Sequence, residues 1–342
     1  GGGPQAAWMP RPPPQGPLTC GPRSRGRWDA CALSGILFVC AAGTVLVLLL
    51  LWWIPHQGPV PVLLQPWPGT IPTPFAVNVR QSSGALYRDG QVFFVGDHGI
   101  LVQVDALSGT LVRQWNLSLA LQGQVDFEGL AGVPQQVDHV YIVREFPPAI
   151  VEFNTASGRI DRLFDLTPVL DPITNINRLL EGVTFQTDGS SPEGGFFWVG
   201  RQDSGTLVQV EVPILSSGTS THVKLLGRHG PFFDYRDVSD LDFNPLNGML
   251  YVLYDTEAAL VVLSPPPLGS QTAMQVVERF SLPSWTTNQE GLIVAGCGSE
   301  ALLILADDND GVPPFHFAWR YPMPPSYQCS NTVNIPIPMP SC

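Results

Sequence analysis

Acidic side chains recur at matched places along this chain. Carboxylates gathered at one place either share protons or hold a hard cation. Glu128, Glu181 and Glu290 each precede a glycine, in Glu128-Gly129-Leu130, Glu181-Gly182-Val183 and Glu290-Gly291-Leu292. Asp240 stands at a similar point in Asp237-Val238-Ser239-Asp240-Leu241. A second set closes short apolar runs: Asp97 after VFFVG, Glu145 after VYIVR, Asp203 after FFWVGRQ, Asp255 after LYVLY, and Asp307 (with Asp308) after LLILA. Crowded carboxylates raise one another's pKa, and Ca2+, which accepts roughly six to eight oxygens in a flexible shell, relieves that crowding. The expected metal ligands are therefore Glu128, Glu181, Asp240, Glu290, Asp255 and Asp307, with Ca2+ as the cofactor. The stretch Asp307-Asp308-Asn309-Asp310-Gly311 is not an EF-hand loop, because the spacing and the terminal glutamate are missing. The alternative is structural: each acid accepts backbone N–H groups at its own turn.

Arg144, Arg201 and Arg236 lie near these acids. They are candidates to bind an anionic ligand group or, alternatively, to pair with the carboxylates. His98 follows Asp97, where it is a candidate general base or a solvated loop residue. Other catalytic patterns are missing. The chain has no G-x-S-x-G nucleophile elbow and no Gly-rich phosphate loop, and its six histidines lack zinc-ligand spacing.

What must position these acids is a repeat. Five segments share an entry motif, an apolar strand, a turn and a second apolar strand ending in an acid. Anchored on Ser83, Glu128, Glu181, Ser239 and Glu290, the spacings are 45, 53, 58 and 51 residues. Third strands follow in most copies (Leu101–Val104, Ile150–Phe153, Leu207–Val210, Leu260–Leu263), with turns such as Asp89-Gly90, Ser157-Gly158 and Asn247-Gly248 between strands. This pattern predicts an all-β fold, a five-bladed β-propeller over residues 75–320; six blades result if one segment conceals two. The last copy lacks an obvious fourth strand, and Phe75–Val79 precedes the first copy without a partner. That N-terminal strand is expected to complete the last blade. Innermost-strand entries and second-strand ends then face one central mouth.

The run DVSDLDFNPLNGMLYVLYDTEAALVVL resembles the SdiA-regulated (YjiK-type) propeller family, and NQEGLIVAGCGSEALLILADDND is also similar to the phytase-like esterase propellers. The resemblance spans about residues 75–320. It implies the propeller fold and a cation-binding central mouth. It implies no particular chemistry for the SdiA-regulated type. A phosphatase reading is weakened by the single lysine, Lys224, because phosphate substrates need basic partners.

Composition sets the remaining expectations. With 34 Gly and 35 Pro in 342 residues, a helical bundle is excluded; 44% apolar residues exclude a wholly disordered chain. Net charge is −12, but residues before 55 carry +3 and the remainder −15, so nucleic acid is not an expected partner. Residues 1–32 read as a disordered cytosolic segment, and 33–54, LSGILFVCAAGTVLVLLLLWWI, as an uncleaved transmembrane signal anchor; the competing reading, a cleaved signal peptide, calls for a shorter apolar run ending in a small-x-small site. Residues 55–74 read as a Pro-rich stalk and 321–342 as a Pro-rich tail. The flanking arginines predict a single-pass type II membrane protein with an extracellular or lumenal propeller, the plasma membrane being favoured. Asn116-Leu117-Ser118 is a glycosylation sequon consistent with that side. Of Cys297, Cys329 and Cys342 at most one intramolecular pair forms, Cys329–Cys342 being nearest in sequence. Two functions are expected: a membrane-anchored propeller binding a small-molecule, glycan or protein ligand at an acidic mouth, or a Ca2+-dependent esterase, lactonase or phosphodiesterase.

Overall fold

The structure, a computed structural model, describes residues 65–66, 73–77, 81–106, 108–121, 125–172, 177–267, 273–282, 288–296, 302–308 and 316–322. All belong to one compact unit, Val62–Cys342. The expected cytosolic segment, membrane span, most of the stalk, the tail beyond Pro322 and the three C-terminal cysteines lie outside the described residues. Among the described residues no helix is long and apolar enough to cross a membrane.

Alternating apolar runs and tight turns build five sheets, arranged as a β-propeller. The first contains Ser82–Arg88, Gln91–Gly96, Ile100–Asp105 and Leu111–Asn116. The second runs Phe127–Gly132, His139–Arg144, Ala149–Asn154 and Arg159–Asp165, and the third Leu180–Thr187, Gly195–Arg201, Leu207–Glu211 and Lys224–His229. The fourth holds Val238–Asn244, Met249–Tyr254, Ala259–Ser264 and Gln275–Ser281. The fifth begins with Gln289–Ala295, Leu302–Asp307 and His316–Pro322, and its outer strand is Thr73–Val77, which pairs antiparallel with His316–Pro322. An N-terminal strand thus completes the last blade. Part of the presumed stalk is also in the fold: Gln65–Pro66 pairs in parallel with Phe280–Ser281 on the outer edge of the fourth sheet. Hairpin chemistry is visible at Asp89-Gly90, where both residues have positive φ (51° and 77°), the conformation a two-residue turn requires.

Each innermost strand packs against those of the two neighbouring sheets, and the cycle closes from the fifth back to the first. Five apolar cores fill the seams. Phe93, Leu101, Phe127 and Ile142 join the first two blades. Tyr141, Phe164, Phe185 and Phe197 join the second and third, and Trp198, Leu241 and Tyr254 the third and fourth. Tyr251, Leu260, Leu292 and Leu305 join the fourth and fifth. Ala85, Phe94, Ile293 and Ala306 close the ring. Each blade buries one face against its neighbour, so no blade has a complete core of its own.

The innermost strands share an irregularity where they meet the mouth. Pairing runs Ser82↔Gly96 then Gly84↔Val95, Val238↔Tyr254 then Asp240↔Leu253, and Gln289↔Asp307 then Gly291↔Ala306. One residue in each bulges out: Ser83, Ser239 or Glu290. Register shifts in the second and third blades span Glu128 and Glu181 in the same way. A bulge re-aims the side chain at that position. The next position is Gly84, Gly129, Gly182, Asp240 or Gly291. A Cβ at Gly129 would lie 2.5 Å from Val183 N, and one at Gly182 2.6 Å from Asp240 Cα, so glycine is what lets the strands approach this closely.

Candidate metal centre

The bulges bring acids from different blades to one place. Asp97, Glu128 and Glu290 each offer an oxygen, all within 4.8 Å of one another, and Asp126, Glu128 and Glu145 form a second such triad. Glu128 belongs to both. It comes from the bulge of the second blade, Glu290 from that of the fifth, and Asp97 and Glu145 from the ends of second strands. Asp97 N donates to Gln81 O, and Glu145 N to Asp126 O, which fixes these ends beside their own strand entries.

The electrostatics are those of an uncompensated cluster. Glu128 and Glu181 are buried, each 7% exposed. Desolvation pushes the Glu128 carboxyl well above its usual range, and the charges of Asp97, Glu290, Asp126 and Glu145 push it the same way. Desolvation also raises Glu181, seconded by Glu128 and Glu290. Glu290 rises to about 9 by desolvation and then by Asp308, Asp97 and Asp255, offset in part by a hydrogen bond to Ser83. The Ser83 hydroxyl also donates to Asp97 Oδ1. Glu145 rises to about 7, mainly by desolvation, while Leu179 N–H stabilises its charged form and a side-chain hydrogen bond with Asp126 favours a retained proton. Among the described residues no basic side chain pairs with Glu128, Glu181 or Glu290.

The donor set fits a hard divalent cation. It is all carboxylate oxygen, with neither imidazole nor thiolate, which suits Ca2+ better than zinc. Oxygens bound to one Ca2+ at about 2.4 Å lie within about 4.8 Å of each other, so the oxygens of either triad are near enough to share one ion.

The expected ligands divide. Glu128 and Glu290 stand in the triads, and Glu181 is close enough for the charges of both to raise it. Asp240 stands outside both triads, and its carboxylate accepts from backbone donors. Oδ1 accepts from Leu241 N at 2.8 Å and Oδ2 from Leu292 N at 2.6 Å, and Ala85 N–H adds to these. It occupies the glycine position, and Ser239 is the true counterpart of the glutamates. Asp255 Oδ1 accepts from Gln289 N at 2.9 Å and brackets the fourth blade to the fifth. Asp307 is buried opposite Gln289, outside both triads. The backbone bond of Asp308 N to Asn288 O makes Asp308 the counterpart of Asp97 and Glu145. By the same criterion Gln202, whose N–H bonds Leu179 O, replaces Asp203. Asp126 was missed, although its place two residues before Glu128 at a strand entry was the available signal.

The arginines are not gathered at the triads. Arg201 is buried and paired with Asp203, Nη2 to Oδ2 at 2.7 Å, with Asp171 at 3.7 Å. Arg144 Nε donates to Pro147 O at 2.8 Å, and Arg236 is exposed. His98 is exposed beside Asp97.

Solved structures of similar shape are β-propeller proteins. Myxococcus xanthus glutaminyl cyclase is 15% identical, with a TM-score of 0.49 over 74% of this chain and 95% of that one. The PQQ-bound aldose sugar dehydrogenase of Streptomyces coelicolor is 12% identical, with a TM-score of 0.42 over 75% and 99%. No protein-family model and no curated protein sequence matches the chain. The resemblance to SdiA-regulated propellers therefore rests on the repeat motif, and these likenesses extend to the fold alone.

Proposed function

We propose that this protein is a binding module whose propeller mouth takes Ca2+ through Glu128, shared between Asp97 and Glu290 on one side and Asp126 and Glu145 on the other. The observation that carries this reading is the pair of carboxylate triads meeting at one buried glutamate that no basic group among the described residues neutralises. A bound cation presents open positions to oxygen-rich ligands, so a small molecule, glycan or protein would dock at this mouth. The repeat motif shared with SdiA-regulated propellers supports a cation at this place. The apolar run 33–54 with its flanking arginines supports presentation from a membrane anchor on the extracellular or lumenal side. Titration calorimetry of the full chain with Ca2+ is expected to show saturable binding that Glu128→Gln abolishes. No binding at millimolar Ca2+, in a chain that melts cooperatively, overturns the proposal.

A Ca2+-dependent hydrolase is the second reading, and one observation favours it. Glu145, with a carboxyl near 7, sits in a triad with Asp126 and Glu128, placed to exchange a proton near neutral pH. Ester or lactone turnover by the full chain that requires Ca2+ and is lost in Glu145→Gln would establish this over simple binding.

A further inference from the structure

We infer that Asn116 carries an N-linked glycan at the rim of the first blade. Asn116-Leu117-Ser118 is the one N-x-Ser/Thr sequence in the chain. The fold displays it as modification requires. Asn116 is exposed and ends Leu111–Asn116, the outermost strand of its sheet, paired only with Ile100–Asp105. A sugar there meets no strand on its outer side among the described residues. Leu117 is 1% exposed, and its N–H donates to Gly99 O at 2.8 Å. That bond anchors the chain to the turn that also carries Asp97, so the acceptor stands on the mouth side of the blade. The Ser118 hydroxyl donates to Asn116 Oδ1 at 2.5 Å. This contact holds the carboxamide in a compact turn with its oxygen engaged, while Nδ2 is the atom that reacts.

In the reaction Asn116 Nδ2 forms a bond to the anomeric carbon of a lipid-pyrophosphate-linked oligosaccharide. The bond from that carbon to the phosphate oxygen breaks, the lipid pyrophosphate leaves with the bonding pair, and Nδ2 loses one proton to solvent. The glycan would also guard an exposed edge, since Leu111 and Val112 on the same strand are 56% and 54% exposed.

The inference rests on the lumenal orientation proposed above, and one experiment separates the two. The full chain is translated with microsomes and its mobility compared with and without peptide N-glycosidase, beside Asn116→Gln. The expected result is a single-glycan shift that the enzyme removes and the variant never shows. A propeller protected from added protease but unshifted overturns the glycan and leaves the orientation standing. A propeller digested by the protease overturns both.

Discussion

Two groups of acids crowd the centre of this ring, and their surroundings differ. Glu128, Glu181 and Glu290 stand at the mouth among other carboxylates, and all are pushed toward protonation by desolvation and by one another. Asp240, buried, and Asp242, half-buried, in the innermost strand of the fourth blade, are also raised by desolvation, Asp242 to about 7, but backbone donors around them pull the other way. Asp240 accepts from Leu241 and Leu292, and Asp242 Oδ2 accepts from Val294 N at 2.6 Å. The bonds from Leu292 and Val294 cross from the fifth blade to the fourth. The same chemistry therefore serves two ends: where backbone N–H groups converge the carboxylate is a brace, and where only carboxylates converge it awaits a cation or a proton.

The comparison breaks most visibly at Asp240. Asp240→Ala leaves buried N–H groups at Leu241 and Leu292 unbonded, each worth about 1–3 kcal/mol, so urea unfolding should show a loss of about 3 kcal/mol or more. A loss under about 1 kcal/mol would mean that Asp240 is no brace. Next comes pH. Glu290 moves from an ordinary 4.5 to about 9 on folding, and Glu145 from 4.5 to about 7. The folded chain keeps protons that the unfolded chain releases, so this contribution is complete below about pH 4.5 and is lost as pH rises through 7 and 9. Without divalent cations, melting temperature should fall over that window. Ca2+ should flatten the fall, because it replaces the protons. A melting temperature that rises from pH 5 to 9 in chelator would contradict the mouth's electrostatics. The finest distinction uses Gly182→Ala, whose Cβ would press on Asp240 Cα and Leu241 N at 2.6 Å. It should cost about 2 kcal/mol by crowding, while the folded fraction keeps its Ca2+ affinity. Equal damage to affinity would show that brace and mouth are one unit.

Much of the ring was legible because its columns repeat. The spacing of Ser83, Glu128, Glu181, Ser239 and Glu290 marks the bulges correctly, and the N-terminal strand was readable as the missing partner of the last blade. The departures are one-residue shifts. Asp240 resembles the glutamates in the sequence, yet the bulge places Ser239 at their position and Asp240 among the glycines. Asp203 and Asp307 were likewise each one position from the rim column. A bulge adds a residue without altering the apolar pattern, so hydrophobic spacing locates a strand but leaves the facing of its first polar residue open. Asp126 was readable at the strand entry two residues before Glu128, but only the fold shows its carboxylate reaching both Glu128 and Glu145.

The pairing of Thr73–Val77 with His316–Pro322 bears on how a ribosome makes this molecule. The strand that finishes the wheel is synthesised ahead of the blades it closes and must wait while more than two hundred residues emerge. Four blades can stack in order behind it, but the seam between Ala85 and Ala306 forms only at the end. Until then the nascent chain is an open arc with an apolar face at each end, which is when a chaperone would be needed most.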